Sequence, residues 1–132
     1  MTKEIDEFLK AEAFGVVGAS SDRSKFGNRV LRCYQEHGLK AVPVNPKEKE
    51  IEGTPCVASV ADLPDDVTSI SIITPPLVTE QVVEQAAGKG IRNIWMQPGA
   101  ESPQAVAFCR EHGINVIADG SCILVVLGYR EH

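Results

Sequence analysis

The sequence lacks the features that announce several large classes of protein. It has no apolar run approaching the length of a membrane span. Its N-terminus, Met1 to Lys10, is charged and has no apolar core of signal-peptide length. The cytoplasm is therefore the expected location. Cysteines are few and irregularly spaced: Cys33, Cys56, Cys109 and Cys122 include no CxxC pair, which speaks against a zinc site or a small disulfide scaffold. The three histidines, His37, His112 and His132, do not cluster with carboxylates, so no metal site is expected. Positive charge is in deficit as well. With 13 Lys and Arg against 18 Asp and Glu, the formal net charge is -5. Such a chain suits neither nucleic acid nor a membrane surface as a partner, although a local basic pocket for a phosphate stays open.

What remains is an ordinary globular composition, 43% hydrophobic and 23% charged. A length of 132 residues fits one domain, taken as residues 1–132, with a core large enough to need no staple. Strand and helix patterns alternate from end to end, with no linker or low-complexity segment. Ile5, Phe8 and Leu9 have helical spacing. Phe14 to Gly18 is a short apolar run ending in glycine, the profile of a buried parallel strand. A polar loop follows, and then a helix carrying Phe26, Val30, Leu31 and Tyr34 on one face. Ala41 to Val44, Ser69 to Ile73, Asn93 to Met96 and Asn115 to Ala118 read as further strands. Pro55 to Val57 reads as a shorter one, after a turn at Glu52 to Thr54.

Thr74-Pro75-Pro76 opens a helix with Val78, Val82, Val83, Ala86 and Ala87 inward, ending at Gly88 to Gly90. Ser102 caps another helix, with Pro103 at its first position. His37-Gly38 and His112-Gly113 stand at expected helix ends. Cys33 and Cys109 fall in helical patterns as small core hydrophobes. The apolar stretch Ile123 to Leu127 either packs against the sheet or forms a contact edge.

This order predicts an α/β fold: a doubly wound, mostly parallel Rossmann-like sheet of about five or six strands with helices on both faces. Ligands of such sheets bind beyond the carboxyl ends of the strands, where the strand order reverses. The first strand and the Ser69–Ile73 strand are expected to flank that point. The loop after the first strand offers Gly18, Ala19, Ser20 and Ser21, with Arg23 and Lys25 adding positive charge, and leads into a helix that begins near Lys25, with Gly27 and Asn28 just beyond. Glycine permits close backbone approach, and a helix N-terminus points N–H groups at an anion, so this loop is a candidate pyrophosphate site.

It is not the dinucleotide fingerprint, because GxGxxG is absent and the glycine after Gly18 is Gly27. The second strand ends in Asn45-Pro46-Lys47 instead of the acidic residue that binds an NAD ribose. A lysine suits a ligand with a phosphate on its ribose, as in NADP or coenzyme A. Thr74, Pro75 and Pro76 supply a stiff wall opposite, or simply end the strand. Glu101 in the loop Gln97 to Glu101 is more consistent with a solvent or helix-start role than with a base. Cys122, after the last strand, is the one thiol placed to meet a ligand at that edge, as a mixed disulfide with coenzyme A; an incidental cysteine is the plainer reading.

Four short motifs together carry a resemblance: Val16-Val17-Gly18-Ala19-Ser20, Val44-Asn45-Pro46-Lys47, Ile73-Thr74-Pro75-Pro76 and Trp95-Met96-Gln97-Pro98-Gly99. In this order they resemble the small stand-alone CoA-binding-domain proteins. These are similar to the nucleotide-binding domain of the succinyl-CoA synthetase alpha subunit and of ADP-forming acyl-CoA synthetases. The resemblance implies coenzyme A as ligand. It places Gly18 to Ser21 at its phosphates, Lys47 at a phosphate of its ADP part, and Thr74 to Pro76 at pantetheine or adenine. Arg23, Gly27 and Asn28 become supporting contacts. The synthetases carry a phosphorylated histidine in a second domain, and no histidine of this chain lies in a glycine-flanked loop suited to that role. The expectation is thus a module that binds coenzyme A or a short acyl-CoA, with no catalytic residue of its own. A small NADP-linked oxidoreductase is the enzyme alternative, weakened by the missing fingerprint and by the lack of a Tyr/Lys or His/Asp arrangement. A nucleotide-binding or regulatory subunit of a larger enzyme is the third reading, which would require a protein partner.

Overall fold

The computed structural model describes residues 2–130; Met1, Glu131 and His132 lie outside the described residues. Helix α1 (Lys3–Leu9) starts at Thr2, whose hydroxyl accepts the Ile5 N–H at 3.2 Å. It leads into strand β1 (Ala13–Val17), helix α2 (Phe26–Glu36) and strand β2 (Ala41–Val44). A two-residue hairpin follows, β3 (Glu50–Ile51) and β4 (Thr54–Pro55), then a single helical turn at Val60–Asp62. The rest alternates: β5 (Val67–Ile72), α3 (Pro76–Lys89), β6 (Asn93–Met96), α4 (Pro103–Glu111), β7 (Asn115–Ile117) and α5 (Ile123–Leu127).

Five strands form one sheet in the order β2-β1-β5-β6-β7, and every neighbouring pair is parallel. The expected Rossmann-like fold is the one observed. The sheet winds from β1 outward to β2 on one side and from β5 to β7 on the other. The reversal therefore falls between β1 and β5, as the sequence led one to expect. Helices cover both faces. Ile5, Phe8, Val30, Leu31, Tyr34 and Ile123 from α1, α2 and α5 pack on one face with Phe14 and Val16. Val82, Val83, Ala86, Ala105 and Cys109 from α3 and α4 pack on the other with Val17, Ile70 and Ile72. Strand residues of both parities are thus buried, which explains why these strands read as continuous apolar runs.

The face under α1 and α2 is aromatic and partly polar. Phe8 stands edge-on to Trp95 at 5.3 Å, and Phe14 stacks on Tyr34 at 4.9 Å between centroids. The buried Ser69 hydroxyl donates to the Phe8 carbonyl at 2.9 Å. The buried Ser71 and Tyr34 hydroxyls meet at 2.7 Å. Burial holds the Tyr34 phenol well above its usual titration range, so it stays protonated and needs that partner.

Several boundaries differ from expectation for identifiable reasons. Strand β5 begins at Val67 because Val67 pairs with Ala13 of β1. The strand expected at Pro55 to Val57 divides: Thr54–Pro55 pairs in the hairpin, while Val57 makes an isolated parallel bridge to Val44. Helix α3 runs through Gly88 and ends at Gly90, whose φ of 88° closes the last turn. Val78, expected inward, is 41% exposed because the first turn of α3 overhangs the end of the sheet. The stretch from Ile123 forms α5, with Ile123 buried against α2 and Val125 facing solvent. Ser102 caps α4 as expected, accepting the Ala105 N–H at 3.3 Å. His37 and His112 do terminate α2 and α4, each with Nδ1 2.9 Å from a carbonyl of the last turn.

Tyr34→Phe should strand the Ser71 hydroxyl in the core and lower urea-unfolding stability by about 1–3 kcal/mol. The double change Tyr34→Phe with Ser71→Ala should recover most of that loss. A double variant no more stable than the single one would show that the hydroxyl pair is not the source.

Candidate functional site

The loops after β1, β2 and β5 converge at the carboxyl edge of the sheet, and the way they meet starts at Gly18. Its N–H ends the ladder on the Val44 carbonyl at 3.3 Å, while the Ile73 N–H reaches the Val17 carbonyl at 2.8 Å. Gly18 has φ 95°, and a Cβ there would stand 2.9 Å from the Ile73 oxygen, so both conformation and space require glycine. Helix α2 then folds back until its first turn touches this glycine. A Cβ on Gly27 would lie 2.1 Å from the Gly18 oxygen.

The loop between them is held by its carbonyls. Asn45 Nδ2 donates to the Ala19 carbonyl at 2.9 Å, and Asn28 Nδ2 to the Ser20 carbonyl at 2.8 Å. Arg32 and Arg29 reach the Arg23 and Ser24 carbonyls at 3.0 and 2.9 Å. Asn45 Oδ1 meanwhile accepts the Lys47 and Glu48 N–H groups, which shapes the turn after β2. Within the loop Asp22 accepts from the Ser24 hydroxyl and N–H, and these bonds hold its carboxyl below the usual range.

Pinning carbonyls has a consequence for the donors. In a trans peptide the N–H points opposite to the preceding C=O, and the described residues contain no cis bond. Ser20 N–H is therefore turned away from Asn45, and Ser21 N–H away from Asn28. Among the described residues neither N–H meets an acceptor. Both donors are thus left free for an acceptor from outside the chain, such as an anion. Lys25 stands beside them as the N-cap of α2, with no side-chain cap on the first-turn N–H groups.

Two depressions open here. One, of about 430 Å³, is lined by Gly18, Ala19, Ser20, Lys25, Phe26, Gly27, Asn45 and Ile73. The other, of about 260 Å³, runs between the strand ends and α3, with Val17, Val44, Pro46, Val60, Thr74 and Val82 among its walls. Gly18 and Asn45 belong to both. The structure thus assembles eight of the sequence candidates around one spot: Gly18, Ala19, Ser20, Lys25, Gly27, Asn45, Pro46 and Thr74.

The other candidates stand apart from both depressions. Ser21 donates to Glu48 at 3.0 Å, Arg23 pairs with Glu52 at 3.5 Å, and Asn28 is fully buried beneath the loop. Lys47 is exposed just past β2. Pro75 and Pro76 serve as the N-cap and first residue of α3. Glu101 accepts the Gly99 N–H at 3.0 Å, and Cys122 begins α5. Sequence reading missed Ser59 at the turn and Val78, Gln81 and Gln85 on α3. Their only trace was a helical stripe, Val78, Gln81, Val82 and Gln85, that mixes amides with apolar residues. A separate cleft of about 340 Å³ beside β7, lined by Thr2, Glu4, Arg110 and Asp119 among others, gathers no sequence candidate. Among the described residues no group of His, Cys, Asp and Glu is placed to hold a metal ion.

A family model described as CoA binding domain matches residues 12–128. The chain belongs to that family. Relatives of two kinds surround this CoA binding domain. An ADP-forming acetate–CoA ligase of Methanocaldococcus jannaschii is 32% identical over 81 residues, 61% of this chain but 12% of the ligase. The chain thus spans about an eighth of that relative. The Bacillus subtilis protein YneT is 27% identical over 123 residues, covering 92% of this chain and 90% of its own length. Among solved structures, a conserved hypothetical protein of Pyrococcus furiosus superposes with a TM-score of 0.82 at 39% identity, over 88% of this chain and 98% of its own.

In this CoA binding domain Gly27→Ala should force the α2 first turn off the Gly18 carbonyl. We expect a loss of about 3 kcal/mol in chemical unfolding. A stability equal to that of the parent would show that the loop and helix separate freely.

Proposed function

We propose that the protein binds coenzyme A, free or carrying a short acyl group, at the switch point between β1 and β5, as a module that performs no reaction on it alone. The observation that carries this reading is the pairing of two depressions of different character across Gly18 and Asn45. One side offers the Ser20 N–H, the α2 N-terminus and Lys25, with the Ser21 N–H on the next peptide of the loop, a setting for a pyrophosphate. The other is walled by Val17, Val44, Val60 and Val82, with Gln81 and Gln85 at its border, a setting for adenine or the pantetheine chain. Lys47, exposed just past β2, supports a ligand that carries a phosphate on its ribose. The ligase relatives support coenzyme A as the ligand, since their names assign them reactions on acetate and coenzyme A. YneT matches along nearly its whole length, which supports a chain of this size acting as a unit. No helix among the described residues is long and apolar enough to cross a membrane, in keeping with a role in the cytoplasm.

Lys47 suits NADP as well as coenzyme A, so the test must separate them. Calorimetric titration of ligand-stripped protein with coenzyme A, dephospho-coenzyme A, NAD and NADP should show micromolar binding of coenzyme A alone among them. Lys47→Ala should weaken coenzyme A about tenfold and leave dephospho-coenzyme A nearly unchanged. A preference for NADP would replace this reading with a reductase. Absence of coenzyme A binding would end it.

A further inference from the structure

Glu52 is the one non-glycine residue among those described with a left-handed backbone, φ 48°. It holds the first central position of the two-residue turn between β3 and β4, followed by Gly53 at φ 77°. Such turns ordinarily use Asn, Asp or Gly there, because a longer side chain strains the backbone. A strained residue persists only where its surroundings fix it, and such residues gather at functional sites. Glu52 is fixed twice. Gln35 of α2 donates to its carbonyl at 3.2 Å and to the Thr54 hydroxyl at 3.1 Å. Its carboxylate accepts from Asn28 Nδ2 at 3.1 Å and stands 3.5 Å from Arg23 Nε.

Asn28 makes this more than a local brace. It is fully buried, and its amide nitrogen has two hydrogens to place. One goes to Glu52 and the other to the Ser20 carbonyl at 2.8 Å, while its oxygen accepts from Arg32 at 2.7 Å. The Ser20 carbonyl belongs to the peptide whose N–H is that of Ser21. Holding one end of that peptide aims the other. A chain of contacts therefore runs from a strained turn through a buried amide to a donor of the proposed phosphate site.

We propose that Glu52 is a positioning residue for the ligand: its carboxylate locks Asn28, which orients the Ser20–Ser21 peptide so that the Ser21 N–H faces the phosphates. This inference rests on reading the site as the place where coenzyme A phosphates bind. The strain at Glu52 is then tolerated for the carboxylate that no smaller turn residue could deliver.

The test compares Glu52→Gly and Glu52→Gln with the parent protein, each by coenzyme A calorimetry and by thermal unfolding. Glu52→Gly relieves the turn but takes the acceptor from one Asn28 N–H; the two effects oppose, so its Tm should stay close to that of the parent while coenzyme A binds about tenfold more weakly. Glu52→Gln keeps an oxygen for Asn28 and should stay within about threefold of the parent. If Glu52→Gly binds as tightly as the parent, the positioning role is wrong and the ligand reading stands. If its Tm and affinity fall together, Glu52 is merely structural and the proposal is likewise overturned. A parent protein that binds no coenzyme A overturns the ligand reading first, and the inference with it.

Discussion

The contact between the first turn of α2 and the carbonyl of Gly18 is the constraint on which the rest of the site depends. There is no space for a side chain at Gly27, since its Cβ would stand 2.1 Å from that oxygen. Because the helix seats directly on the end of β1, the loop between them cannot spread into solvent. It must turn its backbone within the small space bounded by β2, α2 and the β3–β4 hairpin. Side chains of α2 and of the end of β2 then find loop carbonyls within reach.

Those carbonyls are taken up by side chains from two elements: Asn45 from the end of β2, and Asn28, Arg29 and Arg32 from α2. The polarity that results is opposite to that of the whole molecule. The chain carries a net charge of -5, yet the surface of this loop presents N–H groups and the ammonium of Lys25. Oriented peptide dipoles act over short distances, where they outweigh a diffuse and screened surface charge. An acidic protein can therefore hold an anion without a basic face. Donors already held in place also spare the ligand the entropy of ordering the loop.

The same arrangement explains why so small a part of a ligase can correspond to 61% of this chain. The switch point, both depressions and the network beneath them lie within residues 12–128, the span of the family match. The two sheet faces and their helices bury the strands, and the carboxyl edge is left to the loops. The geometry of the two depressions is then a property of this unit, whatever other domains the ligases add.

Much of this architecture was legible in order of residues alone. Alternating apolar runs and helical stripes, ended by Gly38, Gly90 and Gly113, specify parallel βαβ units, because a buried strand and an amphipathic helix satisfy their backbone and apolar surface locally. Gly18, Ser20, Lys25 and Asn45 were legible for the same reason, lying at fixed offsets from strand ends. The tertiary structure alone decided the rest. It turned Val78 from core to groove wall, withdrew Arg23 to Glu52, and made Asn28 a buried brace instead of a surface contact. It also joined Glu52 to Ser20 through Asn28, which stands 24 residues before Glu52 in the chain. No local pattern encodes such links. Hydrogen bonds between segments far apart in sequence depend on where packing brings them, and only the assembled fold sets that.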